Sequence, residues 1–179
     1  GARVWGTYYG DIGSDVGYAI ATDNAGNIYF GGGTTSSSNI STAGAFQPAL
    51  SAAGDQDAFV AKFNSAGVRQ WATYIGGNLP ATLVSGDYVT GLACDKNNNI
   101  IIAGDAYSKN IPVTGCAYQT IFAGSEDQFI ITLRPNGTAL CSGYLGMGTS
   151  ASGNNETNQF SGGSIVVDGC YVYMASSSF

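Results

Sequence analysis

The chain has 179 residues, a net charge of −6, 44% hydrophobic and only 10% charged residues, and no histidine. Its six basic residues, Arg3, Lys62, Arg69, Lys96, Lys109 and Arg134, are scattered, so no basic patch exists for a nucleic acid or an anionic membrane surface. No apolar run approaches the roughly 18–20 residues of a spanning helix, and without histidine the commonest general base, the Ser-His pair and the commonest zinc ligand are missing.

In chain order, "GARVWGTYYGD" opens the sequence as a strand at about residues 4–11, and a start inside a strand leads to the expectation that further residues precede Gly1. Tyr18–Asp23 alternates large and small side chains, the turn "NAGN" follows, and Ile28–Thr34 returns. Phe59, Ala61 and Phe63 alternate with Val60 and Lys62, and Arg69–Gly76 closes the unit after the turn "NSAG". Period-two patterning between turn signals marks antiparallel strands, with Asn and Gly supplying the positive φ that tight turns need.

The chain then repeats itself. "WGTYYGD" (from Trp5) returns as "WATYIGG" (from Trp71), and more weakly as "CSGYLGM" (from Cys141). "YAIATD" returns as "TGLACD" and "SIVVDG", "GAFQ" (from Gly44) as "CAYQ" (from Cys116), and "DAFVAKFNSAG" (from Asp57) as "DQFIITLRPNG" (from Asp127). Four matched segments in one order, Trp5 to Trp71 being 66 residues and Tyr18 to Thr90 being 72, define a repeated four-stranded unit. Such units in tandem predict an all-β fold of β-propeller blades, each four-stranded and antiparallel, because one blade leaves both faces of its sheet to be covered by neighbours. The expected layout is the last strand of a preceding blade at about 4–11, a blade at about 18–77, another at about 89–146, and the start of a further one at about 163–179. About two and a half blades fall short of a closed ring, which implies part of a larger propeller. In each unit one connection is long, Thr34 to Asp57 and Asp105 to Glu126, and loops of this length often carry function.

At "DAFVAKFNSAG", "WATYIGG", "CDKNNNIIIAG" and "AYQ" the sequence resembles the SBBP repeat, a β-propeller repeat of bacterial secreted and cell-surface proteins. Asp57–Lys62, Ala72–Gly77, Asp23–Tyr29 and Gly44–Gln47 carry the likeness, and Met147–Gly163 departs from it. The resemblance implies export, by a type IX secretion route in many such proteins, and attaches no catalytic residues to the repeat. Low lysine content beside abundant Ser, Thr, Asn and Gly also suits an extracellular β-protein.

The acidic loops are the candidate metal sites. Asp11 with Asp15, Asp55 with Asp57, and Glu126 with Asp127 offer oxygen ligands for Ca²⁺, but none has EF-hand or RTX spacing. The competing reading is that Asp57 and Asp127 accept turn backbone N–H bonds and that Asp23, Asp95 and Asp168, present in every unit, serve the fold. Paired carboxylates raise a glycosidase propeller as an alternative, yet "TDNAGNIYF" lacks the Asp-box spacing of sialidases. Cys94, Cys116, Cys141 and Cys170 fit no zinc motif. Three of them are expected toward one rim and Cys116 near the other, which argues against two bridges, leaving one bridge or buried thiols open. Asn39, Asn136 and Asn155 match the glycosylation pattern no more often than chance allows. Trp5 with Trp71, and Tyr8 with Tyr74, are expected to pack blade on blade. The expected function is a non-catalytic module for binding or adhesion, without cofactor, whose partner is a protein or glycan surface ligand or other segments of the same long chain. The alternatives are a structural subunit of an extracellular fibre or layer, and part of a glycan-active enzyme with its catalytic residues elsewhere.

Overall fold

The computed structural model describes residues 1–52, 54–78, 86–123, 126–146, 160–169 and 171–178. The recurring turn is made by one aspartate. Asp23 Oδ1 accepts bonds from the backbone N–H of Ala25 and Asn27, both at 2.9 Å, and its Oδ2 accepts from Asn27 Nδ2 at 2.8 Å and Tyr29 Oη at 3.1 Å. Asp95 repeats this with Asn97 and Asn99 N–H, both at 2.8 Å, and Asn99 Nδ2 at 2.7 Å. Each turn places one residue in the left-handed region, Gly26 at φ 76° and Asn98 at φ 62°.

These turns join β1 (Asp15–Thr22) to β2 (Ile28–Thr34) and β5 (Tyr88–Cys94) to β6 (Ile100–Ala106). With β3 (Asp57–Phe63) and β4 (Arg69–Ile75), and with β7 (Asp127–Leu133) and β8 (Ala139–Leu145), they form two antiparallel four-stranded sheets in simple sequential order. A third, two-stranded sheet holds β9 (Phe160–Asp168) and β10 (Tyr171–Ser178). No helix occurs among the described residues. The protein is therefore all-β, and its repeated unit is a four-stranded antiparallel meander.

The sheets stack face to face with their first strands nearest one another: β1, β2 and β3 lie against β5, and β5 and β6 against β9. Alternation decides what each face meets. Tyr29, Val60, Trp71 and Ile75 leave the first sheet on one side and join Leu92, Ile102, Phe129 and Tyr144 of the second in a single core. Ile101, Ala103 and Ile130 leave the second sheet on its far side and pack on Ile165, Val167 and Met174 of the third. Every sheet thus presents the same chemical face forward.

The strand expected at about 4–11 is not part of any ladder. That segment crosses the face of the first sheet instead of lying along its edge, with Trp5 stacked on Phe63 and Tyr9 against Phe30 and Phe59. A chain lying face-on offers its N–H and C=O groups to no neighbouring strand. The tyrosine pairing also needs correction. Tyr74 is buried in its own unit, donating to Ser36 O at 2.8 Å, while Tyr8 is fully exposed. Trp71 does bridge two sheets, its Nε1 donating to Pro135 O at 2.9 Å in the β7–β8 turn, and Trp5, outside any ladder, makes the equivalent contact on the first sheet, its Nε1 donating to Ser65 O at 3.0 Å in the β3–β4 turn. A Cβ on the turn glycine would press on the ring, 2.8 Å from Trp5 Cδ2 at Gly67 and 3.0 Å from Trp71 Cδ2 at Gly137, and both glycines are at positive φ. Glycine is required there twice over.

Candidate functional site

The long connections, the natural place to seek a site, fold back along the outermost strands. Thr42 N–H donates to Ala72 O at 3.0 Å, Ala72 N–H to Thr42 Oγ1 at 3.1 Å, and Tyr74 N–H to Gln47 O at 3.1 Å. The second unit repeats the pattern: Thr114 N–H donates to Ser142 O at 2.9 Å, Ser142 N–H to Thr114 Oγ1 at 2.8 Å, and Tyr144 N–H to Gln119 O at 2.9 Å. Each loop thereby satisfies part of the open edge of β4 or β8.

One glutamine and one aspartate fasten each loop. Gln47 Nε2 donates to Asp57 Oδ2 at 3.0 Å while its Oε1 accepts from Gly76 N–H at 2.9 Å. Ser51 adds its N–H and Oγ to the same carboxylate oxygen, both at 2.9 Å. Gln119, Asp127 and Gly146 repeat this at 3.0 and 2.9 Å, with Ala123 N–H donating at 2.7 Å. A Cβ at Gly76 or Gly146 would fall inside the carboxylate, 2.3 Å from Asp57 Cγ or 2.1 Å from Asp127 Oδ1. Burial, only partly offset by these bonds, raises both carboxyls to about 6.

The other candidate carboxylates divide the same rim. Asp15 accepts from Asp11 N–H at 3.0 Å, from Ser36 Oγ at 2.9 Å and from Thr34 Oγ1. Asp11 Oδ2 accepts from Asn39 Nδ2 at 3.2 Å and from Ser38 Oγ. Asp55 sits in the turn before β3, its N–H bonded to Ala52 O at 3.2 Å. Glu126 is buried near Asp105; burial, opposed by a bond from Tyr107 and reinforced by Asp105, raises it to about 7. No three Asp, Glu or Cys side chains among the described residues are grouped as a cation site.

Asp87 is a buried acid absent from the candidates above. It accepts from Tyr107 N–H at 2.8 Å, Ser108 N–H at 3.1 Å, Gly77 N–H at 3.3 Å and Ser108 Oγ, and burial raises it to about 7. It occupies the place of Asp15 one unit on. Extending the match of "YAIATD" with "TGLACD" three residues upstream would have aligned Asp15 with Asp87.

The cysteines also fall differently from the rim-to-rim picture. Cys116 and Cys141 form a disulfide with Cα atoms 5.7 Å apart, because the loop carrying Cys116 runs down the edge of β8 rather than staying at its rim. Cys94 is a half-buried free thiol, pushed up to about 12 by burial and by Asp23 and Asp95, with Lys62 pulling the other way. Cys170 lies outside the described residues.

A cavity of about 390 Å³ is lined by Lys109, Asn110, Ile111, Val113, Ile121 and Tyr144; Ile121 is well exposed, as is Tyr118 earlier in the same loop. Its mixture of a cation, an amide and apolar side chains suits a polar ligand with an apolar face. No protein-family model matches the chain, and no curated protein matches it.

Proposed function

We propose that the chain is a non-catalytic scaffold made of consecutive SBBP-type propeller blades in a secreted or cell-surface protein, and that it binds a protein or glycan surface ligand through loops on its outer side. One observation carries this reading: the recurring polar residues are consumed by the architecture. Asp23 and Asp95 hold hairpins, and Asp57 with Gln47, like Asp127 with Gln119, locks a loop. Trp5 and Trp71 dock on equivalent turns, which supports taking residues 4–11 as the outermost strand of a further blade. The Cys116–Cys141 disulfide supports an oxidising compartment. A cavity lined by Lys109, Ile121 and Tyr144, together with the exposed Tyr118 of the same loop, supports ligand contact by the less constrained parts of the loops.

The test is binding of the folded chain to arrayed glycans and matrix proteins, with and without Ca²⁺. Retention that is lost on Tyr118→Ala together with Ile121→Ser supports the proposal. Failure to bind any surface ligand, or hydrolysis of a glycan by the chain, overturns it.

A further inference from the structure

Three cross-strand pairs occupy the same place in the three sheets: Ile20 with Phe30, Leu92 with Ile102, and Ile165 with Met174. One residue along, three more pairs point out of the opposite faces: Ala21 with Tyr29, Ala93 with Ile101, and Val166 with Tyr173. Within the chain these faces meet twice. Ala21 and Tyr29 share a core with Leu92 and Ile102, and Ala93 and Ile101 share one with Ile165 and Met174. One face of each kind is left over. Ile20 is 72% exposed although its counterparts Leu92 and Ile165 are each 8% exposed, and Val166 and Tyr173 are 60% and 57% exposed although Tyr29 is fully buried.

We infer that the chain associates head to tail with a second copy of itself, the Val166–Tyr173 face of one copy seating on the Ile20–Phe30 face of the next. This rests on the like-facing stack of sheets described above and not on any ligand. The occupant is identified by continuity with an interface the chain already makes twice. The inner strands suffice for it, because β5 receives β1 and β2, and β9 receives β5 and β6. The outer half of the receiving face is already covered, with Trp5 on Phe63 and Tyr9 on Phe30. A cavity of about 360 Å³ between them and Ile20 marks where the cover stops. Ile20 on one face and Val166 and Tyr173 on the other are all well exposed, so the contact removes apolar surface from water, with the exposed Asp168 at the rim of the seating face. Because the two faces differ, the interface is heterologous and propagates or closes into a ring instead of stopping at a two-fold dimer.

Sedimentation velocity of the 179-residue chain from micromolar to millimolar concentration reads this directly. The weight-average mass is expected to at least double over that range. Ile20→Glu and Tyr173→Glu each leave one working face; both side chains are exposed in the single copy, so circular dichroism should match the parent. Each variant alone is expected to stay monomeric, their mixture to stop at a heterodimer, and the double variant to remain monomeric in every mixture. A folded chain that stays monomeric throughout overturns the inference and leaves the scaffold reading intact. Association that survives both substitutions overturns it, as does a longer product of the same gene that protects Ile20 beneath its own strands and stays monomeric. Self-association with no ligand binding would instead retain this inference and remove the adhesion reading.

Discussion

Asp23 shows how much a single carboxylate does here. It accepts four hydrogen bonds, and Lys62 Nζ approaches it to 3.8 Å from a nearly buried position while donating to Pro135 O in the next sheet at 2.9 Å. Burial opposes its ionisation, but the bonds from Asn27, Tyr29 and Ala25 outweigh that and hold the carboxyl below its usual range. Its contribution is therefore present above the unfolded-state pKa, about 4, and is lost as pH falls through the lower folded-state value. Asp23→Ala is expected to cost about 1–3 kcal/mol, since it strands several donors, and Asp95→Ala somewhat less, because Asp95 lacks the tyrosine partner. Urea denaturation midpoints at neutral pH measure both. Trp71→Ala should cost more, about 3–5 kcal/mol, because it empties a place between two sheets as well as removing the bond to Pro135.

Among the elements, the strands were legible in the sequence and the loops were not. Period-two alternation located β1 from Tyr18 onward and β3, the Asp-to-Asn turn located both hairpins, and the self-repeat carried the first unit's strands onto the second; alternation and turn are set by neighbours in sequence. Whether residues 4–11 join a ladder depends on which strands stand beside them, and alternation is silent on that. The Gln in "GAFQ" and "CAYQ" was visible as a repeat, but its partners Asp57 and Gly76 lie 10 and 29 residues further on, so only the fold reveals the clamp. Cys116 was misplaced for the same reason: its position follows from the path of a long loop. The clamp predicts that Gln47→Leu, which strands the Gly76 N–H and removes one bond to Asp57, costs about 1–3 kcal/mol and accelerates proteolytic cleavage between Thr34 and Asp57. Gln119→Leu should loosen its own loop less, because the disulfide still holds it.

At the scale of the molecule, the acids behave in the opposite sense to Asp23. Asp57 and Asp127 are raised to about 6, and Asp87 and Glu126 to about 7, in each case chiefly by burial. The folded chain thus binds protons more tightly than the unfolded chain between about pH 4 and pH 7. The stabilisation by these groups is fully present below the unfolded-state pKa and is lost as pH rises through 6 to 7. Thermal unfolding is expected at a higher temperature at pH 5 than at pH 8, and Asp87→Asn should flatten that difference; a midpoint that rises steadily from pH 5 to pH 8 would contradict it.

The sulfur bridge between the β6–β7 loop and β8 has a practical corollary for anyone handling this protein. Thiol reductants would cut the covalent tether, at a loss of roughly 3 kcal/mol for a loop of this size. They would also let the Thr114–Gln119 stretch peel away, baring main-chain donors and acceptors that solvate poorly beside an apolar sheet. Preparations kept in dithiothreitol should turn turbid and bind thioflavin T on warming, while oxidised aliquots stay clear.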